Sequence, residues 1–333
     1  MSQSQLDSFL INRIYMGDCL EGIKKMPSKS VDLVMTSPPY YRKRDTDGIG
    51  LIYHAEDYID ALIEFVKVVI PKVKDTGSIV VNLGDKHKDG LMMLPHRFAI
   101  AVTDNLGLRL VNEVCWVKKN TVPQPNNRRM VSSFEPIYHF AISDKYKYRA
   151  ERYTKQDVVP LKITPRKGKG YLKLINESTL TMSQKQNAMT ALENCLDKMA
   201  RGEIVDFRMN ILGKHRIPHG GFEGGRQKEL KKNGYIVTEM LGGKMLKDVL
   251  ITNTGGHRGI PHHSVFPIGI PEFFIELLTD EDDVVLDPFT GSGTTLIAAK
   301  SKKRNFVGFE INPDFACLAA DRVGMPLDKI IEL

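Results

Sequence analysis

The chain has 333 residues, of which 42% are hydrophobic and 26% charged, with a formal net charge of +7 and an isoelectric point near 9.0. This length can bury a full α/β core with a second, smaller module, and the basic charge favours a polyanionic partner. Four scattered cysteines without a Cys-x-x-Cys pair argue against a disulfide framework and a cysteine zinc site. With no signal-peptide pattern and no apolar run of roughly 18–20 residues, the sequence predicts a cytoplasmic protein.

Strand and helix patterns alternate from the start of the chain. Apolar runs predict strands at 14–16, 31–36, 77–83, 109–117 and 135–142. Helical spacing and turn signals predict helices at 19–26, 56–70 and 94–103, with a polar loop over 42–53. This alternation favours a mostly parallel sheet covered by helices.

The pattern changes between about Lys145 and Leu250. Basic and glycine-rich stretches dominate there, at 166–170, 220–226, 228–232 and 242–244. One helix is predicted among them, at Ser183–Arg201, from an apolar stripe.

The alternation resumes after this region. Helices are predicted near 271–278 and 292–301, strands at 284–287 and 305–310, and a final helix from Pro313. We therefore divide the chain into three parts, 1–144, 145–250 and 251–333.

A stiff turn follows the strand at 31–36. Its sequence is Thr-Ser-Pro-Pro-Tyr-Tyr, and the two prolines fix φ and remove backbone donors. Ser37 and the carbonyl of Pro38 are then preset hydrogen-bond acceptors, and Tyr40 offers a flat ring beside them. This arrangement suits a planar substrate that carries an amino group.

A glycine-rich segment follows the strand at 284–287. It reads Asp-Pro-Phe-Thr-Gly-Ser-Gly-Thr-Thr from Asp287, and its glycines at 291 and 293 separate the strand from a helix. Such a loop lets backbone amides and a helix N-terminus face a polar ligand.

Together the two segments resemble the catalytic and cofactor motifs of the amino-directed DNA methyltransferases, which use S-adenosyl-L-methionine. Their order, with the Pro-Pro motif early and the glycine-rich motif late, is similar to the β class of that family. The resemblance implies a circularly permuted S-adenosylmethionine-dependent methyltransferase fold, a mostly parallel seven-stranded sheet flanked by helices. It places the strand at 305–310 beside that at 14–16, and makes 145–250 an inserted target-recognition region.

The resemblance also implies site residues. The catalytic residues are Ser37, Pro38, Pro39 and Tyr40: Ser37 and the Pro38 carbonyl accept from the amine, while Tyr40 stacks on a flipped base. In the cofactor site Asp287 holds the methionine ammonium, Glu310 the ribose hydroxyls, and Asp18 lies near the adenine. A helix cap is the alternative for Asp18, and a solvated strand end for Glu310. The implied cofactor residues are Asp18, Phe266, Asp287, Pro288, Phe289, Gly291, Gly293, Thr294, Thr295 and Glu310.

A basic stretch after Trp116 resembles the segment that helps close the target-base pocket, with a surface loop as the alternative. The predicted DNA-binding residues, here and in the insert, are Lys118, Lys119, Arg128, Arg129, Arg166, Lys167, Lys169 and Arg226. The histidines lack a paired metal-ligand spacing, so we predict no metal site.

Serine at position 37 is associated in this family with N4-cytosine products, and aspartate with N6-adenine. We therefore predict N4-cytosine methylation of double-stranded DNA after base flipping, with N6-adenine methylation as the alternative. No cysteine follows a proline, which disfavours methylation at cytosine carbon 5. Methylation of RNA or protein glutamine is disfavoured by the permuted order, and a catalytically silent binding protein by the intact motifs. A partner restriction endonuclease and the choice of monomer or homodimer stay open.

Overall fold

A computed structural model describes residues 10–42, 51–121, 128–153, 165–201, 203–204, 206–215, 225–240, 246–253 and 267–333. The chain divides into two compact units, Met1–Arg149 with Lys247–Leu333, and Ala150–Leu246. The predicted limits of the insert, 145 and 250, fall close to this division. Among the described residues, no helix combines the length and apolar character needed to cross a membrane.

The elements follow in chain order. The strands are β1 (Arg13–Met16), β2 (Val31–Thr36), β3 (Val73–Asn82), β4 (Arg109–Lys118), β5 (Phe134–Ala141), β6 (Asp206–Ile211), β7 (Tyr235–Met240), β8 (Val249–Thr252), β9 (Val284–Asp287), β10 (Asn305–Glu310) and β11 (Ile331–Glu332). The helices are α1 (Cys19–Lys25), α2 (Ala55–Val69), α3 (Leu94–Leu106), α4 (Pro165–Asn176), α5 (Met182–Ala200), α6 (Gly225–Asn233), α7 (Gly269–Leu278), α8 (Thr294–Ser301) and α9 (Pro313–Val323).

The larger unit contains one sheet, with strand order β11-β1-β10-β9-β2-β3-β5-β4-β8. Within it β5 runs antiparallel to both of its neighbours, while the other pairs are parallel. The mostly parallel α/β fold is confirmed, as is the pairing of the strand at 305–310 with the first strand, where Arg13 lies opposite Val307. The predicted count of seven strands is too low, because the short strands β8 and β11 extend the two edges.

Helix α2 shows why these segments fold as they do. Its apolar residues recur every three or four positions and form a stripe that is buried against the sheet, namely Tyr58, Leu62, Phe65, Val66 and Val69. Acidic residues lie in its first turn and Lys67 in its last turn, which complements the helix dipole.

The smaller unit has its own core. Helices α4 and α5 and the antiparallel hairpin β6–β7 enclose buried residues that include Ile175, Leu192 and Phe207. Helix α5 begins with a capping box formed by Thr181 and Gln184. The sequence predicts α5 but does not predict α4, α6, β6 or β7, and the basic stretch at 166–170 lies inside α4.

A buried carboxylate joins three strands at the opposite end of the sheet from the two motif loops. Asp32 in β2 is 1% exposed and accepts from Lys74 Nζ at 2.8 Å, Lys147 Nζ at 3.2 Å and the amide of Val284 at 3.0 Å. Burial alone would raise the pKa of Asp32, but the hydrogen bond from Lys74 and the neighbouring positive charges hold it below its usual value.

We predict that Asp32→Asn lowers the free energy of unfolding at pH 7 by about 2 kcal/mol, because two lysines lose a buried partner. The depressed pKa stabilises the fold above the unfolded pKa of about 4, and this contribution is lost as the pH falls below it. Urea unfolding at pH 7 and at acidic pH should therefore show the difference between wild type and variant shrinking with acidification.

The matched control is Asp75→Asn. Asp75 also pairs with a lysine, Lys29, at 2.7 Å, but its side chain is 74% exposed, so no measurable change is expected. Equal effects of the two substitutions would contradict the structural role of Asp32.

Candidate active site

Both motif loops begin at the carboxyl ends of neighbouring parallel strands, β2 and β9. The hydroxyl Oγ1 of Thr36, the last residue of β2, donates to Asp287 Oδ1 at 2.7 Å, and both residues are buried. In open α/β sheets, ligands bind in the crevice outside the carboxyl ends of the strands. The structure therefore brings together the two segments that are most informative in the sequence.

The glycine-rich loop connects β9 to α8 and is held by its neighbours. The amide of Phe289 donates to Asp287 Oδ1 at 3.2 Å, and that of Gly291 donates to Glu310 Oε2 at 2.7 Å. Gly291 and Gly293 have φ values of 51° and 81°, in the left-handed region that favours glycine. A Cβ on Gly293 would lie 3.0 Å from Cβ of Ala319, so this glycine also lets α8 approach α9.

Asp287 is 2% exposed, and burial raises its pKa to about 6 although the hydrogen bond from Thr36 opposes the shift. A carboxylate offers about four acceptor positions, more than the hydrogen bonds from Thr36, Thr295 and Phe289 use, so a position remains for an ammonium donor. Pro288 is buried, while the ring of Phe289 packs edge-on against Phe65 with centroids 5.1 Å apart. Thr294 and Thr295 begin α8 and are buried.

Glu310 ends β10, and its carboxylate spans the loops beside it. Oε1 accepts from the amide of Asn312 at 2.9 Å, and Oε2 from the amide of Gly291. Burial raises the pKa of Glu310. The remaining acceptor positions of the carboxylate fit hydroxyl donors such as those of a ribose. The ribose-binding role of Glu310 stays a prediction.

Asp18 caps α1. Its side chain accepts from the amide of Leu20 at 2.7 Å, so the helix-cap alternative is confirmed. The side chain is exposed, and its adenine role stays a prediction.

The loop after β2 is fixed through its carbonyl groups. Tyr58 Oη donates to the Pro39 carbonyl at 3.0 Å, and Lys86 Nζ donates to the Tyr41 carbonyl at 3.0 Å. Tyr41 itself is 4% exposed, and its hydroxyl donates to the Tyr53 carbonyl at 2.5 Å. Tyr41 thus packs in the core, which leaves Ser37 to Tyr40 as the segment at the site.

Four side chains bring acceptor oxygens together beside this loop, and we call them the acceptor cluster: Ser37, Tyr40, Asn82 and Glu135. Ser37 Oγ lies 3.5 Å from both Tyr40 Oη and Asn82 Oδ1. Tyr40 Oη lies 2.9 Å from Asn82 Oδ1 and 2.8 Å from Glu135 Oε2. Asn82 Nδ2 donates to the Pro136 carbonyl at 3.2 Å, which turns Oδ1 towards Ser37. Burial and the charge of Glu135 raise the pKa of Tyr40.

Two members of the acceptor cluster, Asn82 and Glu135, are missed by the sequence reasoning. The available signal for Asn82 is a polar residue at the carboxyl end of an apolar strand. Glu135 stands near the start of β5, and the sheet order alone brings it beside β3. It forms an ion pair with Lys118, whose Nζ also lies 4.9 Å from the ring centroid of Trp116. Lys118 is thus paired within the protein, and its predicted contact with DNA stays a prediction.

The other predicted DNA-binding residues are more scattered. Four of them are exposed: Lys119, Arg128, Arg129 and Lys169. The side chains of the remaining three, Arg166, Lys167 and Arg226, lie outside the described residues, as does the predicted cofactor residue Phe266. In the part of the chain that the structure describes, no group of three or more His, Cys, Asp or Glu residues could hold a metal ion. Four of the histidines noted in the sequence, at 219, 257, 262 and 263, also lie outside it.

A family model described as DNA methylase matches residues 31–321. The chain belongs to this family. It is similar to the Type II methyltransferase M.PvuII of Proteus hauseri, with 26% identity over 323 residues that cover 93% of this chain and 82% of the relative.

Solved structures give the same fold. The PvuII DNA methyltransferase, described as cytosine-N4-specific, has a TM-score of 0.58 and 22% identity, covering 93% of this chain and 85% of its own. A DNA modification methylase of Thermus thermophilus complexed with S-adenosyl-L-methionine has a TM-score of 0.54 and 21% identity, covering 96% and 97%. The predicted family and fold are confirmed, and S-adenosyl-L-methionine is confirmed as the cofactor at the level of the family.

We predict that Gly84→Ala disables the acceptor cluster. A Cβ at this position would lie 2.3 Å from Cε2 of Tyr40, and the ring cannot move away without pulling the Tyr40 hydroxyl from Asn82 Oδ1, 2.9 Å away, and Glu135 Oε2, 2.8 Å away. The variant should lose at least about tenfold in methyl-transfer rate, the equivalent of about 1.4 kcal/mol, with cofactor affinity unchanged.

Gly170→Ala serves as the control, because a Cβ there meets nothing within 4 Å. It should leave both the rate and the cofactor affinity unchanged. A normal methyl-transfer rate in Gly84→Ala would show that the position of the Tyr40 ring does not matter for catalysis.

Proposed function

We propose that the chain transfers a methyl group from S-adenosyl-L-methionine to the exocyclic N4 of cytosine in double-stranded DNA. The observation that carries this proposal is the acceptor cluster, which lies directly after β2, next to the strand that leads into the glycine-rich loop. Serine at position 37 and the likeness to M.PvuII support cytosine over adenine.

The balance of donors and acceptors in the cluster favours an amino group. Ser37 and Tyr40 supply one hydroxyl proton each, while Asn82 Oδ1, the Glu135 carboxylate and the two hydroxyl oxygens all accept. An amino group brings two N–H donors and satisfies this surplus of acceptors. A base edge that presents a carbonyl oxygen there would face lone pairs, which is unfavourable in a partly buried site.

The same contacts can activate the amine. The nitrogen lone pair is delocalised into the base ring, and hydrogen bonds from both N–H groups to fixed acceptors favour a more tetrahedral nitrogen that directs its lone pair outward. When bound, the cofactor supplies an electrophilic methyl group on a sulfonium sulfur. Asp287 and Glu310 would hold this cofactor, which would give its methyl group to the amine nitrogen and leave as a neutral thioether, while one N–H proton would pass to an accepting oxygen of the acceptor cluster or to water. Positioning and fixed hydrogen-bond acceptors would account for much of the catalysis.

The target base must leave the duplex to reach this site, which costs a few kcal/mol. Tyr40 is held at its hydroxyl and packs one part of its ring against Gly84. We assign the rest of the ring to stacking on the flipped base, which offsets roughly 1–3 kcal/mol of that cost.

We assign the cofactor contacts from the resemblance of these motifs to those of the amino-directed DNA methyltransferases. Asp287 would hold the ammonium of the methionine moiety and Glu310 the ribose hydroxyls. Asp18 would lie near the adenine.

The DNA contacts are assigned by charge. Exposed Lys119, Arg128, Arg129 and Lys169 would meet phosphates, and the insert would carry target recognition. Because M.PvuII is a Type II methyltransferase, a restriction endonuclease with the same recognition sequence is the expected partner.

The product decides between the two bases. Digestion of methylated DNA to nucleosides followed by mass spectrometry should show N4-methylcytosine without N6-methyladenine. Adenine also presents an amino donor beside a ring acceptor, so the acceptor cluster alone does not separate the bases. Detection of N6-methyladenine alone would overturn the choice of cytosine as the target base and leave the proposed methylation of an amino group intact.

Cofactor binding and base chemistry should separate by mutation. Asp287→Ala should abolish binding of S-adenosyl-L-methionine, because the ammonium loses a charged partner in a buried site. Ser37→Ala should bind the cofactor normally and turn over more slowly. Calorimetry and methyl-transfer assays on both variants test the two roles.

The pKa of Asp287 gives this test a second readout. Its pKa is about 6, and only the ionised carboxylate attracts an ammonium. Cofactor affinity of the wild type should therefore fall about tenfold per pH unit below 6, and Ser37→Ala should show the same dependence. Affinity that is constant between pH 5 and 7 would argue against the contact.

A further inference from the structure

The hydroxyl of Tyr40 lies between two acceptors but has a single proton. Glu135 Oε2 is 2.8 Å from Tyr40 Oη, and Asn82 Oδ1 is 2.9 Å away. Asn82 presents Oδ1 to this contact, because its Nδ2 is turned towards the Pro136 carbonyl and donates to it at 3.2 Å. The proton of Tyr40 can therefore be donated to only one of the two oxygens. That choice determines whether Asn82 Oδ1 is left as an acceptor for a ligand.

The carboxyl group of Glu135 is held in a fixed place. Its side chain is 13% exposed, and Lys118, which is 20% exposed, contacts its other oxygen, Oε1. An ionised carboxylate accepts a hydrogen bond more strongly than a neutral amide oxygen does. The Tyr40 proton consequently points to Glu135.

We propose that Glu135, held by Lys118, is a positioning residue that takes the Tyr40 proton and so leaves Asn82 Oδ1 as an acceptor for the amino group of the target base. This inference rests on the proposed function. Glu135 does not touch the base in this arrangement. It acts through the direction of one O–H bond at Tyr40.

Replacing the carboxylate by an amide reverses that direction. In Glu135→Gln, Lys118 still requires an acceptor, so the amide oxygen faces Lys118 and the NH₂ group faces Tyr40. The amide then donates to Tyr40 Oη, and the Tyr40 proton turns to Asn82 Oδ1, where it competes with the substrate amine. Tyr40→Phe removes the competing proton while keeping the ring.

The experiment compares Glu135→Gln, Tyr40→Phe and the double variant, with cofactor affinity measured by calorimetry and kcat on DNA. Glu135→Gln should lower kcat at least about tenfold, as expected for one lost hydrogen bond in a buried site. Tyr40→Phe should cost less than Glu135→Gln. The double variant should recover to the level of Tyr40→Phe, and all three should bind the cofactor normally.

The matched control is Glu113→Gln on β4, whose side chain is 48% exposed and pairs with His96; its kcat should be unchanged. If Glu135→Gln does not fold, Glu135→Leu replaces it: the proton of Tyr40 again turns to Asn82, and Tyr40→Phe should again restore kcat. A purely structural role for Glu135 predicts no such rescue.

The outcomes separate this inference from the proposed function. Failure of the wild type to methylate DNA would count against the proposed function. A methylating wild type whose Glu135→Gln variant is as active, or whose loss is not rescued by Tyr40→Phe, overturns the role of Glu135 alone. Recovery in the double variant, with unchanged cofactor affinity, establishes it.

Discussion

The hydrogen bond from Thr36 to Asp287 is the contact on which the site depends. It joins the carboxyl ends of β2 and β9, which are 251 residues apart in sequence. Because the bond is buried and the acceptor is a carboxylate, breaking it would leave an uncompensated polar group between two strands. The catalytic loop and the glycine-rich loop both begin at this bond, so their separation is set by the sheet and is insensitive to the length of chain between them.

This arrangement explains why the order of the motifs can be permuted. The acceptor cluster draws its residues from the loop after β2, from the end of β3 and from the start of β5, and these strands are neighbours in the sheet. Any linear order that preserves the same strand neighbours brings Ser37, Asn82 and Glu135 together. The insert from Ala150 to Leu246 folds around a separate core, which is why it can occupy a connection of the sheet.

The sequence predicts the strands of the larger unit except β8 and β11, because the other strands are regular buried apolar runs, as at Val31–Thr36. It does not predict α4, because two glycines and several cations give this segment a polar composition. Ile175 and its neighbours fold as a helix there because α5 and the hairpin cover them. The motif residues are predicted because each motif is local. Asn82 and Glu135 are not predicted as site residues, because they reach the site only through the pairing of strands that are far apart in sequence. Their position depends on tertiary structure, which no local pattern contains.

The place of β1 in the sheet has a consequence for synthesis on the ribosome. This strand emerges early, yet both of its partners, β10 and β11, belong to the last part of the chain, with Asn12 and Phe306 separated by 294 positions. At about 5–20 residues per second, translation of the intervening segment takes on the order of 15–60 seconds. During that time the backbone of β1 has neither sheet partner, so the nascent chain exposes an open strand that chaperones would need to shield from aggregation.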